Sequence, residues 1–167
     1  MRLIRTTLPI LLAFACVYSA RGAVFLSGGE YPVMGDTEGH QKNPHVALNQ
    51  NGGFAVWQNS TADSGGERVV GQKVSIDQMG MGAVFVISQN IASQNEVNPK
   101  VALLNNGGAI AVWQAGPRNS QDVYARFLDD KGQFQSGIIR VNTHDEGVQS
   151  SPSVAVSEDG KALVVWD

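Results

Sequence analysis

The chain has 167 residues, with 12 Lys and Arg against 15 Asp and Glu and a formal net charge of −3. Once a basic leader carrying Arg2, Arg5 and Arg21 is removed, nine cations face fifteen anions and the net charge is −6, which argues against nucleic acid or an anionic membrane surface as partner, since both are held by clustered Lys and Arg. The one cysteine, Cys16, lies in that stretch, so the residues after it hold no disulfide and are expected to draw their stability from packing.

Residues 1–22 read as a signal peptide. Arg2 and Arg5 form the basic start, Leu8 to Val17 the apolar stretch, and Ala20-Arg21-Gly22 a small-x-small site before Ala23. About ten apolar residues are too few for a spanning helix. Cleavage and a secreted, periplasmic or cell-surface location are expected, with no membrane insertion after cleavage. Cys16 invites a lipoprotein reading, but Phe14 stands two residues before it, where a small residue is required.

Residues 23–43 hold an apolar start, a Gly-Gly break and Tyr31-Pro32-Val33-Met34, which is expected to be an outer strand. One pattern then occurs three times. Pro44, Pro99 and Pro152 are each followed one residue later by Val-Ala. Asn51-Gly52, Asn106-Gly107 and Asp159-Gly160 stand seven residues after each Pro, and Trp57, Trp113 and Trp166 close the copies. Asn-Gly or Asp-Gly between short apolar runs predicts a hairpin through a type I′ turn, with positive φ at both central residues. Each Pro is expected to open the first arm, where a missing N–H costs least. The second arms, Phe54 to Trp57, Ala109 to Trp113 and Ala162 to Trp166, are apolar at nearly every position, as in strands covered on both faces. Trp beside small Ala on one face is how stacked sheets interlock, which makes these tryptophans structural.

The Pro-to-Pro spacings of 55 and 53 residues are too long for a bare hairpin. Two further runs fill the period: Arg68 to Val74 and Ala83 to Ile87 in the first copy, Asp122 to Leu128 and the region of Ile138 to Val141 in the second. Four short antiparallel strands per period make one blade of a β-propeller. The predicted fold is all-β, with residues 44–98 as blade 1, 99–151 as blade 2 and 152–167 as the first hairpin of a third. So few blades close no ring, so the sequence is expected to be a truncated piece of a longer protein or a unit that self-associates.

Val141-Asn142-Thr143, Gly147 to Ala155 with Gln149 three residues before Pro152, Asp159-Gly160, Val164-Val165-Trp166 and the Val123-Tyr124-Ala125-Arg126-Phe127 strand together resemble a repeat of large exported bacterial surface proteins. The match is weaker in the first copy, where Glu96 stands at the Gln position and Gln89 at that of Asn142. The resemblance implies propeller-like blades beside adhesion or wall modules, and assigns no catalytic residue.

His40, His45 and His144 fall at unrelated places in the repeat, so no metal spacing emerges. Asp129-Asp130-Lys131-Gly132 lacks the ligands of a calcium loop and reads as a turn. Asp145 and Glu146, on the loop entering the third copy, are the candidate ligand contacts; no catalytic set or cofactor site is visible. The expected function is binding or adhesion to a glycan or an envelope protein. The alternative is the N-terminal part of a propeller-type glycosidase or lyase, whose paired carboxylates come from other blades.

Overall fold

The computed structural model describes residues 38–60, 66–75, 79–89, 95–144 and 146–167. The signal segment, the Tyr31–Met34 run and Asp145 lie outside them. The described residues are all-β, without a helix, and form three antiparallel sheets. The first sheet contains β1 (His40–Asn49), β2 (Gly52–Ser60), β3 (Arg68–Ser75) and β4 (Met79–Val86), in that order. The second contains β5 (Val97–Leu103), β6 (Ala109–Ala115), β7 (Asp122–Leu128) and β8 (Ile139–Arg140). The third is the pair β9 (Ser153–Val156) and β10 (Ala162–Val165). None of the sheets closes on itself.

The sheets stack face to face, and strand alternation decides what each face carries. Phe54 and Val56 of β2 join Val101, Ala109, Ala111 and Trp113 in one buried cluster, so the Trp113 face of the second sheet meets the first sheet. Ile110 and Val112, on the opposite face of β6, pack with Val154, Val156 and Val164 of the third sheet. All seven residues of β6 are buried as a result. Strand β10 is mostly exposed, because only its Val164 face is covered. The first strands lie side by side, β1 next to β5 and β5 next to β9.

The turns differ from the type I′ expectation. Asn51, Asn106 and Asp159 do not take positive φ; Gly52, Gly107 and Gly160 do, at 101°, 85° and 81°. At the second and third copies the first residue of the turn accepts from the Gly three residues on and donates to the carbonyl one beyond it. Gly107 N bonds to Leu104 O and Leu104 N to Gly108 O; Gly160 N bonds to Ser157 O and Ser157 N to Lys161 O. This is the longer hairpin loop, in which a single left-handed residue after the turn restores the strand twist, and glycine adopts it without a Cβ clash. Asp129 to Gln133 uses the same bonds, with Gly132 at φ 84°.

The prolines also differ. Strand β1 begins four residues before Pro44 and β5 two residues before Pro99, so these prolines sit inside edge strands, and only Pro152 directly precedes its strand. The register shifts between Lys42 and His45 and between Val97 and Lys100. The residue before each Pro is left-handed: Asn43 at φ 49°, Asn98 at 53° and Ser151 at 54°. Edge strands and bulges are the interior strand settings that tolerate a missing N–H, and Pro44 and Pro99 have both.

Another correction concerns the fourth strand. Val69 N donates to Ser88 Oγ at 3.0 Å, as Val123 N donates to Asn142 Oδ1 at 2.9 Å, so Ser88, and not Gln89, occupies the Asn142 position. Gly71 stands where the second sheet has Ala125. A Cβ on Gly71 would come within 2.7 Å of Ile87 Cδ1, and its absence lets Ile87 bury.

Candidate functional site

The glycine turns of the first two repeats meet at one end of the stack and frame a cleft of about 330 Å³. Asn49, Asn51, Asn105 and Asn106 line it with Lys73 and Asp130, and buried Phe54 borders it. Some of these amide atoms hold the turns: Asn49 Oδ1 accepts from Asn51 N at 2.8 Å, and Asn106 Oδ1 from Gly108 N at 3.0 Å. Asn105 Nδ2 donates to Glu158 O, tying the second turn to the third. An amide presents two donors and an acceptor with two lone pairs, so Asn49 and Asn106 keep donors beyond those turn bonds. The asparagines were visible in the sequence only as turn formers; their convergence comes from the stacking of two repeats.

At the opposite end the residue after each Trp acts as a clamp between repeats. Gln58 Oε1 accepts from Asn98 N at 3.0 Å, and Gln114 Oε1 from Ser151 N at 3.0 Å. Each also holds the side chain before its own Pro: Gln58 Oε1 accepts from Asn43 Nδ2, and Gln114 Oε1 from Asn98 Nδ2 at 2.8 Å. Their amide nitrogens donate to Glu67 Oε2 at 2.6 Å and Gln121 Oε1 at 2.9 Å. Both glutamines are buried. At the second and third copies the left-handed residue before the Pro turns its backbone N–H toward the preceding sheet, and at Pro99 that bend coincides with the bulge of β5. Sequence reading missed this pair; its signal was the repeated Trp-Gln.

Glu146 is exposed on the loop at this clamp end, where its carbonyl accepts from Gln149 Nε2 at 3.1 Å. It is therefore at the other end of the stack from the asparagine cleft. Asp145 lies outside the described residues. No group of three His, Cys, Asp or Glu suited to a metal occurs among the described residues.

Trp57 and Trp113 are buried and Trp166 is partly exposed. Trp113 stacks on its strand neighbour Tyr124, with centroids 6.3 Å apart and rings at 24°. The Trp166 indole donates to Gln149 Oε1 at 2.9 Å, whereas the Trp57 and Trp113 indole nitrogens are buried without a partner. Glu96, at the Gln149 position, bonds Ser88 Oγ instead.

Two titratable groups are perturbed in the contact zone. His45 Nδ1 accepts from Val101 N at 3.3 Å, linking β1 to β5; burial, and then Lys100, hold its pKa below 6.5. Burial pushes the Glu96 carboxyl above 4.5, against the opposing effects of Ser88 and Arg68. The folded state therefore favours protonated Glu96, and the stability it contributes is full below pH 4.5 and lost as pH rises through the raised value. Glu96→Gln, which restores the residue found at Gln41 and Gln149, is expected to melt above the parent near neutral pH. The gap should close on acidification toward pH 4.5. Melting curves of both proteins across that range check it, and a gap that stays constant contradicts it.

No protein-family model matches the chain, and the searches of curated proteins and of solved structures return no similar protein.

Proposed function

We propose that the chain is an exported binding module whose sheets are blades of a β-propeller, and that the asparagine cleft takes a saccharide. The propeller reading is supported by three sheets built on one repeat, stacked face to face with their first strands adjacent. A groove of about 710 Å³ runs along those strands, lined by Val46 to Asn49, Val101 to Asn105 and Val156, where a propeller has its central channel. Export is supported by the basic start, apolar stretch and small-x-small site of residues 1–22. The resemblance to exported bacterial repeat proteins points the same way.

The observation that carries the ligand reading is the convergence of four asparagine amides from two adjacent repeats on one cleft. Hydroxyl groups both donate and accept, as amides do, so a polyhydroxylated ligand satisfies such a wall in many orientations. Lys73 and Asp130 bring one charge of each sign, which suits a neutral ligand better than a polyanion. The cleft lies at the low end of the 300–1,000 Å³ range typical of small-molecule sites, in keeping with one or two sugar units.

A glycan array followed by titration calorimetry tests the reading. The Asn51→Ala/Lys73→Ala double variant, folded by circular dichroism, is expected to lose about tenfold or more in affinity, equivalent to about 1.4 kcal/mol. An array with no binder, or a double variant that binds like the parent, contradicts it.

A further inference from the structure

We infer that His45 is a pH-sensitive latch between the first two sheets: the neutral imidazole holds the edge of β5, and the imidazolium releases it. The backbone shows why β5 needs a partner there. Leu104 N donates to Gly108 O, and in an antiparallel pair such bonds recur at every second residue, so Ala102 and Lys100 bond across to Ile110 and Val112. Val101 falls between them, and its N–H points out of the sheet toward β1. Val101 is buried, and an unpaired N–H there is costly. His45 Nδ1 takes that bond at 3.3 Å.

The bond fixes the state of the ring. An imidazole accepts at Nδ1 only when its one proton is on Nε2, and an imidazolium donates from both nitrogens. A proton on Nδ1 therefore turns the acceptor into a donor facing a donor, and sets a positive charge beside Lys100. Strand β1 packs on β2 and β5. Strand β2 has no charged residue and Lys100 is the only one on β5, so no carboxylate from either strand offsets the charge. On β1 itself, Lys42 is paired with Glu67 at 2.9 Å, and His40 stands at the start of the strand.

Burial, and then Lys100, accordingly hold the His45 pKa below 6.5. A group whose pKa is lowered on folding contributes stability that is full above pH 6.5 and lost as pH falls through the lowered value. The latch thus closes at neutral pH and opens in acid. The next junction has no such device, because Lys100 stands where His45 does, one residue after the Pro, and an ammonium only donates. Strands β1 and β5 lead into the turns that frame the asparagine cleft, so opening the latch loosens the two walls of that cleft against each other.

The inference rests on the bond from Val101 to His45 and not on the saccharide reading, so a failed glycan array leaves it standing. Amide hydrogen exchange of the full chain, expressed as protection factors corrected for the intrinsic effect of pH, tests it against His45→Gln. The glutamine amide offers an acceptor at every pH, and the comparison cancels the Glu96 titration that both proteins share. In the parent, protection of the Val101 amide is expected to fall about tenfold or more between about pH 8 and about pH 5, and in His45→Gln to change by less than about threefold. A second measurement needs no variant. The His45 ring resonances of the parent are expected to titrate below pH 6.5, with the Val101 amide resonance following the same midpoint. Parent protection at Val101 that stays constant across the range, a His45→Gln protein that loses it equally, or a Val101 amide that does not move with the His45 titration overturns the inference.

Discussion

Replacing Trp113 by Ala is expected to cost roughly 3–5 kcal/mol of unfolding free energy, the range for deleting a fully buried large aromatic side chain. For a chain of this size the loss should lower the melting temperature by roughly 10 °C. The ring is closed off from solvent between the first two sheets, sharing its cluster with Phe54, Val56, Val101 and Ala111 and stacking on Tyr124. Neighbours anchored in two sheets have little freedom to collapse into the space it leaves. Trp166→Ala is the internal control. That indole is 37% exposed, so the same deletion there should cost clearly less. Thermal melts of both variants check the pair, and equal losses would contradict the placement of Trp113 between sheets.

The second large effect is expected at Gln114. Gln114→Ala removes the acceptor for the Asn98 side chain and for Ser151 N, and the donor to buried Gln121. Of these partners Gln121 is buried, and leaving it unpaired costs about 1–3 kcal/mol, while half-buried Asn98 and exposed Ser151 lose less because water can replace the bond. The loss should fall mostly on the junction between the second and third sheets, since the Gln114 side chain holds the third repeat through Ser151 N. Gln114→Glu distinguishes the two halves of the clamp. A carboxylate keeps the acceptor toward Ser151 but has no donor for Gln121, so it should lose less than Ala yet remain below the parent. Hydrogen exchange at the Ser151 amide, read with denaturant melts, checks both variants. Unchanged protection in Gln114→Ala would show that the clamp does not hold the sheets together.

The strands were legible because each repeat states them redundantly. Alternation gives the faces of β2 and β6, glycine gives the turns, and a Trp beside Ala gives the buried side. What was not legible depends on contacts between repeats. Pro44 and Pro99 look like strand openers because their missing N–H is a local property, while both sit inside β1 and β5 at a bulge, and the bulge at Pro99 serves the clamp from the first sheet. The Asn-Gly pairs signal a turn correctly, yet the choice between a two-residue type I′ turn and a longer loop with one left-handed glycine lies in backbone twist, which the dipeptide does not encode. Counting back from the Pro puts Gln89 at the Asn142 position, but the stretch from Ser88 to Pro99 is one residue longer than that from Asn142 to Pro152, a difference in loop length that the strand motifs do not reveal. The asparagine cleft was invisible for the same reason as the clamp: its walls come from residues more than fifty positions apart. Glu146 drew attention as an acidic loop residue, a purely local signal, and it stands away from that cleft.

The claim on which these expectations depend is that successive repeats stack face to face, with Trp113 directed at the first sheet and Val112 at the third. Nuclear Overhauser contacts from methyl-labelled protein test it most directly. The stacked arrangement predicts contacts from the Trp113 ring to the cluster containing Val56, and from Ile110 and Val112 methyls to those of Val154 and Val164. Contacts from Trp113 to Val154 or Val164, or no methyl contacts between repeats at all, would contradict it.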